Sequence, residues 1–393
     1  MTHILFEKTN PISGRTVGRA NTYAASISSK CISLPASEFA IHPNIHPLRQ
    51  PFMKRAILFI VLFACVAVRA ENVRIVTWNV ELWQQRFDSK KINALAKKSP
   101  GDEDLQNLAR KNKEWDDKEN WFVATVMLDP KLAPDILLFE EGCDQDNLKY
   151  FNHHWLKDAF ETLMVFPTNT GRDQNIGMML KPGFKVLKVQ DDYYKEKDPV
   201  EKPFLEKGSG EAGPNGDMLF ARGPAFVLVE TPAGNKLWVG INHEKSKHGN
   251  SLDVAKWRNR EADRVHQIIK EVEKEGPTPD VVFGGDMNDE LGMQEFEQEA
   301  GGDSIEHIVG PPSDGIFMAT RKLAESNAIS YGGYYNEKYR SMIDHFFVTQ
   351  SLKDKVADVQ IFKEGLAPVA SDHYPVVMTL KLPGGSPATQ PVH

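Results

Sequence analysis

The chain has 393 residues, 47 Lys and Arg against 54 Asp and Glu, and 41% hydrophobic residues. A formal net charge of −7 removes the argument for a partner recruited by a strongly basic surface. Three cysteines are too few for a disulfide framework.

Met1–Phe52 is polar and Ser-rich without periodicity, and is expected to be an over-extended start upstream of Met53 or a disordered leader. From Met53 the chain reads MKRAILFIVLFACVAVRA: Lys54 and Arg55, an apolar run from Ala56 to Val68, then small residues at Val68 and Ala70. This is the pattern of a signal peptide cleaved after Ala70, in a run too short to span a bilayer, so a secreted or periplasmic protein is expected. A lipoprotein variant at Leu62-Phe-Ala-Cys65 is disfavoured by the bulky Phe63. Met1–Ala70 carries eight Lys and Arg against two Glu, which leaves 39 basic and 52 acidic residues and a formal net of −13. Cys143 is then the remaining cysteine, so the mature fold must be held by its core. About 320 residues suffice for one large domain.

Along residues 71–382, short apolar runs alternate with charged stretches. Val73–Trp78, Ile136–Phe139, Ile176–Leu180, Ala225–Val229, Leu237–Ile241, Val281–Phe283, Ile343–Val348 and Val376–Leu380 read as strands. Lys256–Lys274 places Trp257, Ala262, Val265, Ile268, Ile269 and Val272 at helical spacing. Asn120–Leu128 and Asn147–Phe160 also read as helical. The alternation predicts a mixed α/β sandwich in one domain. Asp191–Gly216 is charged and rich in Gly and Pro; it reads as a long surface loop too polar to pack, either a lid or substrate loop or disordered. Residues 383–393 read as a solvated, disordered tail.

Several strands end in polar residues that an ordinary loop does not need: Trp78-Asn79, Glu140-Glu141-Gly142, Asn242-His243-Glu-Lys-Ser-Lys247, Gly284-Gly285-Asp286-Met-Asn288-Asp289, Asp344-His345 and Ser371-Asp372-His373. If those ends share one edge, their carboxylates repel one another unless a cation sits among them. Oxygen ligands with few histidines and no cysteine favour Mg²⁺, with Mn²⁺ or Ca²⁺ as alternatives.

These motifs resemble, in order, those of the endonuclease/exonuclease/phosphatase superfamily, the DNase-I-like metal-dependent phosphoesterases: TWN, PDILLFEEG, NHEKSK, GGDMND, MIDHFFV and SDHYPV. The resemblance spans Val73 to Leu382, and HEKSK followed by Arg258-Asn-Arg-Glu261 looks most like the secreted bacterial nuclease branch. It implies an α/β fold, a four-layer α-β-β-α sandwich of two mixed sheets flanked by helices. It also implies a divalent-metal phosphodiesterase, most simply an endo- or exonuclease, with a sphingomyelinase-like or other phosphoester hydrolase as the alternative and an inactive binding protein as the remaining one. The metal ligands implied are Glu141 and Asp372, with Asn79 touching metal or phosphate; Glu140 stands where many members carry Gln, and a second carboxylate contact from it stays open. Asp286 would orient and deprotonate the attacking water, and Asn288 would hold that carboxylate and donate to the phosphoryl oxygen. His373, oriented by Asp344, would donate to the phosphate. His243 would do the same from the other side or protonate the leaving group. Carboxylates beside these histidines are expected to raise their pKa. Arg222 and Lys245 are candidates for substrate phosphate, and the mature protein is expected to be a monomer acting on nucleic acid or, alternatively, a lipid phosphodiester.

Each residue also has an ordinary explanation. Asn79 suits a turn, Asp286-Met-Asn288 an Asx turn or a helix N-cap before Glu290–Glu299, Glu141 a solvated loop, Asp344-His345 a strand edge and Ser371-Asp372 a turn before Pro375. Lys245, Lys247 and His248 suit a solvated basic loop as well as a phosphate site. His153-His154 reads as helix surface, and Trp78 and Trp83 as core. Met287 is expected to pack inward, and Asp289 to point away and serve as a neutral control for mutation. The short strings NHE and GDMND also fit calcineurin-like metallophosphatases, but their order here is reversed and no Asp-x-His occurs.

Overall fold

The computed structural model describes residues 70–81, 95–170, 174–202, 217–247, 251–292, 295–332 and 340–384. The leader, the signal-type segment up to Arg69, Trp83, His248 and the end of the tail lie outside the described residues.

Among the described residues there are twelve strands: β1 (Glu71–Asn79), β2 (Ile136–Gly142), β3 (Thr162–Phe166), β4 (Asn175–Leu180), β5 (Lys185–Gln190), β6 (Arg222–Glu230), β7 (Lys236–His243), β8 (Val281–Asp286), β9 (Ile316–Met318), β10 (Asp344–Thr349), β11 (Val356–Ile361) and β12 (Val376–Leu382). They form two six-stranded sheets, in the orders β11-β12-β1-β2-β4-β3 and β5-β6-β7-β8-β10-β9. Each sheet is antiparallel except for one central parallel pair, β1 with β2 and β7 with β8.

Strand alternation builds the layers. Val73 and Ile75 of β1, Ile136 and Leu138 of β2, Val239 and Ile241 of β7, and Val282 of β8 pack between the sheets. The intervening residues Val76, Trp78, Leu137 and Phe139 face α1 (Glu103–Met127) and α2 (Gln145–His154) through Val123, Val126, Met127, Leu148 and Phe151. On the other sheet Phe226, Trp238, Val281 and Phe283 meet Ala262, Val265, Ile268, Ile269 and Val272 of α3 (Leu252–Glu275). The result is the four-layer α-β-β-α sandwich, because each sheet is apolar on both faces and must be covered twice.

The eight expected strands are the eight interior strands. The four strands not anticipated, β3, β5, β9 and β11, are the four sheet edges. β5 and β11 are largely exposed, so their sequences mix charge with apolar residues and lack an uninterrupted buried run. The helix expected over Asn120–Leu128 is the last third of a 25-residue helix whose first half is solvent-facing and polar.

Of the charged stretch Asp191–Gly216, residues 191–202 pack, contrary to their polar composition, and residues 203–216 lie outside the described residues. Glu196 pairs with Arg264 at 2.8 Å and Asp198 with Arg260 at 2.8 Å, both arginines from α3. Lys202 is buried over the Trp257 ring at 4.4 Å. Ion pairing to a helix replaces the apolar anchors the segment lacks.

Candidate active site

The parity that fills the space between the sheets also places the polar residues. Following Val73 and Ile75, the same face of β1 presents Thr77 and Asn79; β2 presents Glu140 after Ile136 and Leu138; β7 presents His243 after Val239 and Ile241; β8 presents Asp286 after Val282. Parallel register sets Asn79 beside Glu140 and His243 beside Asp286. Antiparallel β10 begins with Asp344 directly opposite Asp286, and His373 enters just ahead of β12. The apolar rows thus give way to acids, amides and imidazoles at one end of the sandwich, where the carboxyl ends of parallel strands present their loops.

Asp286 is the centre of this group. Its Oδ2 accepts from Asn79 Nδ2 at 3.0 Å and its Oδ1 from the Asn288 backbone N–H at 2.8 Å. His243 Nε2 stands 3.4 Å and His373 Nε2 3.8 Å from Oδ2. Burial raises its pKa; His373, Asn79 and the Asn288 N–H oppose the rise and Asp344 adds to it, leaving the carboxyl pushed up to about 7. Gly285 is required here: at φ 146° a Cβ would lie 1.9 Å from the Asn242 carbonyl oxygen of the adjacent strand.

Asp344 holds His373 as expected, with Nδ1 2.9 Å from Oδ2 and 3.1 Å from Oδ1. Burial disfavours the imidazolium, but Asp344, Asp286 and Asp372 outweigh it and raise His373 well above the ordinary histidine value. Three further contacts fix the residue: its N–H donates to Ser371 Oγ at 3.0 Å, its carbonyl accepts from Trp78 Nε1 at 3.0 Å, and its ring lies 5.0 Å from that of Tyr331. Ser371 Oγ in turn donates to the Asn79 carbonyl at 2.7 Å, tying the end of β1 to the start of β12.

His243 departs from the expectation that carboxylates would raise its pKa. It is buried, and burial followed by the positive charges of Arg222, His373 and Lys245 drives its pKa well below the usual value, although Asp286 and, at 3.9 Å, Glu141 are near. It is a neutral imidazole, not a standing acid. Arg222 is likewise directed at protein acceptors: Gln174 Oε1 at 2.8 Å and the Glu244 carbonyl at 2.9 Å. It braces the exit of β7 from within. Asn288 positions Asp286 through its backbone, while its side-chain amide donates to the Glu244 carbonyl at 3.0 Å instead of to the Asp286 carboxyl. Lys245 is buried with its ammonium 5.9 Å from the Trp257 ring.

Two further acids approach the imidazoles that flank Asp286: Glu141 Oε1 lies 3.9 Å from His243 Nε2 and Asp372 Oδ1 3.9 Å from His373 Nε2. Glu141 has φ 53°, in a bulge of β2 against β4 that turns successive carboxylates apart. Glu140 stays inside, its Oε1 accepting from Thr77 at 2.7 Å, and burial with the charges of Asp344 and Asp286 lifts its pKa well above the carboxylate range. Asp372 is raised first by burial and then by Glu141. Its N–H donates to Glu81 Oε2 at 3.1 Å, and Glu81, desolvated and facing Asp372 and Glu141, is pushed up to about 7. Glu81 was not anticipated: it follows the TWN motif in a stretch without periodicity, and its only signal was its place two residues after Asn79.

Several ordinary readings hold beside the functional ones. Asn79 Oδ1 accepts from the Glu81 N–H at 3.0 Å and Asp286 accepts from Asn288, so both form Asx turns while also facing the site. Trp78 and Met287 are buried core, and His153 sits on the surface beside Asp158. Asp289 does point away, into a buried cluster where Lys247 Nζ lies 2.6 Å from Asp289 and 3.0 Å from Glu297, and Arg258 Nη2 3.1 Å from Glu297. It is structural and cannot serve as a neutral control; Lys247 faces this cluster.

The model for the Endonuclease/Exonuclease/phosphatase family matches residues 76–373. The chain belongs to this family. Among solved structures, the endonuclease/exonuclease/phosphatase from Beutenbergia cavernae superposes with a TM-score of 0.52 at 16% identity, covering 81% of this chain and 73% of that one. Truncated TDP2 of Caenorhabditis elegans gives 0.49 at 15% identity, over 80% and 99%. A family protein from Bacteroides thetaiotaomicron gives 0.48 at 13% identity, over 80% and 97%. No curated protein matches significantly. The first of these likenesses supports the fold alone; family membership rests on the matched model, and with it the chain is a metal-dependent phosphoric ester hydrolase.

The donor set fits a hard divalent cation. Asp286, Asp344 and His373 offer ligand atoms within 4.8 Å of one another. His373 Nδ1, however, is already bonded to Asp344, so these two read as a hydrogen-bonded pair whose Nε2 faces Asp286 at 3.8 Å. Burial and then the charge of Asp372 raise Glu81, and burial and the charge of Glu141 raise Asp372, as expected of carboxylates gathered where a cation could sit.

Proposed function

We propose that this family member is a secreted, Mg²⁺-type phosphodiesterase that hydrolyses nucleic acid, with Mn²⁺ or Ca²⁺ as alternative ions. The observation that carries the reading is the Asp286 carboxyl: fixed by Asn79 and Asn288, set between two imidazoles and pushed up to about 7. A base near neutrality, held at two points, suits the deprotonation of a water aligned for attack on phosphorus. Glu141 and Asp372, with Asn79 beside them, would hold the cation, which supplies neutralisation of the phosphoryl oxygens. His373, kept protonated by Asp344, donates to the oxygen on which charge builds. Neutral His243 donates one hydrogen bond from the opposite side, and Arg222 keeps its strand end in place. Lys245, buried beside the Trp257 ring, is given no phosphate role.

Nucleic acid is favoured over a lipid phosphodiester by the HEKSK resemblance and by a signal-type segment ahead of Glu71. A monomer is proposed. The purified protein is to be incubated with bis-p-nitrophenyl phosphate, plasmid DNA, RNA and sphingomyelin, with Mg²⁺ or EDTA, beside Asp286→Asn. EDTA-sensitive turnover of the small ester and of nucleic acid, reduced about 10²–10⁴-fold in Asp286→Asn, is expected. Turnover of sphingomyelin alone would replace the substrate, and no turnover of any ester would sink the proposal.

A further inference from the structure

One buried acid near the site stands on a helix and not on a strand end. Glu261, which closes the Arg258-Asn-Arg-Glu261 stretch, lies in α3 and is 1% exposed. Its Oε1 accepts from the Ala221 N–H at 3.3 Å and its Oε2 from the Lys245 N–H at 3.0 Å. Ala221 immediately precedes β6, and Lys245 lies just past the end of β7. A single carboxylate therefore ties two strand ends to one helix.

Those ends carry Arg222 and His243. The two are partners in the β6–β7 register, but the register shifts between Arg222 and Ala225, so the pair lies beyond an irregularity in the ladder. Bonds from other elements hold the exit of β7 instead. The Glu244 N–H donates to the Asp286 carbonyl at 3.0 Å, and the Glu244 carbonyl accepts from Arg222 Nη2 at 2.9 Å and Asn288 Nδ2 at 3.0 Å. Glu261 adds the next bond outward, at Lys245, and fixes the start of β6 that brings Arg222 with it.

Keeping an acid here is costly. Burial lifts the Glu261 carboxyl to about 7 against the pull of both N–H groups and of Arg222 and Lys202. An apolar side chain would fill the volume without that cost; the carboxylate supplies two strong acceptors with fixed directions. Direction matters at His243, whose Nε2 stands 3.4 Å from Asp286 Oδ2, because a displacement of about 1 Å in a reacting group can cost about 10²-fold in rate.

We propose that Glu261 is a positioning residue for His243: by clamping Ala221 and Lys245 it sets where the His243 imidazole meets the substrate, and it acts through that histidine and not by contact with substrate. The inference rests on the phosphodiesterase reading above and on the part of His243 in it.

The test is a double-mutant cycle in the full chain, with bis-p-nitrophenyl phosphate and Mg²⁺. Glu261→Gln turns one acceptor oxygen into an amide that cannot accept from a backbone N–H. It is expected to lower kcat about 10–100-fold and to leave KM within about twofold of the parent value. In a His243→Ala background the same change should cost less than about twofold, since residues acting through one geometry are not additive. Glu261→Asp, one methylene shorter with both acceptors kept, should show the same dependence on His243 and carries the cycle if the Gln variant fails to fold. A second readout needs no turnover. In protein labelled with ¹⁵N-histidine, the His243 imidazole signals, assigned by their loss in His243→Ala, should move in both Glu261 variants while those of His373 stay. An equal loss of kcat in both backgrounds, a change confined to KM, or His243 signals that stay in place would overturn the positioning role. Failure of the parent enzyme to hydrolyse any phosphoester with metal would instead sink the phosphodiesterase reading, and the imidazole signals would still decide whether Glu261 sets His243.

Discussion

Asp286 and His373 are required in opposite protonation states. Asp286 works as a carboxylate, so as pH rises through about 7 it ionises and the rate rises. His373 works protonated; its pKa is raised well above the histidine value by Asp344, Asp286 and Asp372 acting against burial, so its proton is lost only at higher pH, where the rate falls. A bell-shaped profile of kcat/KM with an acidic limb near 7 is expected. Asp344→Asn removes the foremost charge that raises His373; it should move the alkaline limb to lower pH and reduce kcat about 10²–10⁴-fold. An alkaline limb that stays in place in that variant would show that Asp344 does not set the His373 proton. Residue identities of this kind were legible in the motifs. The states of the two histidines were not, because the charges that set them come from elsewhere in the chain: beyond burial, cations lower His243, while carboxylates raise His373.

At the scale of elements, the interior strands were readable because burial on both faces demands unbroken apolar runs, as in Ile136–Phe139 and Val281–Phe283. Edge strands such as β5 and β11 need only half a covering and carry lysines and aspartate, so their pattern is diluted. The ionic cluster behind the site belongs to this scale as well. Lys247 arrives from the β7 exit, Asp289 from the β8 exit, Arg258 from α3 and Glu297 from the helix Glu295–Ala300. Asp289 also accepts from the Ser304 N–H at 2.8 Å, and its carbonyl accepts from or faces His345 Nε2 at 3.1 Å. Burial works against its charge, but Arg258 and Lys247 hold its carboxyl below the usual value. Removing one member leaves buried charge uncompensated, so Asp289→Ala should lower stability by roughly 3–5 kcal/mol. A urea midpoint equal to that of the parent would show the cluster to be dispensable.

For the whole molecule, β1 begins at Glu71, the residue after the expected cleavage point, and the Glu71 carboxylate is fixed at once by Asn235 Nδ2 at 2.9 Å and the Ala233 N–H at 3.1 Å. The export proposal therefore predicts that the full chain, expressed in a bacterium with a periplasm, yields an exported product whose N-terminal sequence starts at Glu71. A full-length cytoplasmic product would exclude export. By itself the amino-acid sequence determined the sandwich class, the family and most of the polar residues at the strand ends, since apolar runs and short motifs are local properties. The tertiary structure decided which groups act on one another. Asn79 reaches Asp286 across 207 residues of chain, and Asp289 turns from the phosphate side into a buried ion cluster. Electrostatic coupling falls with distance through space and ignores distance along the chain, so charge states follow from folding and not from spacing.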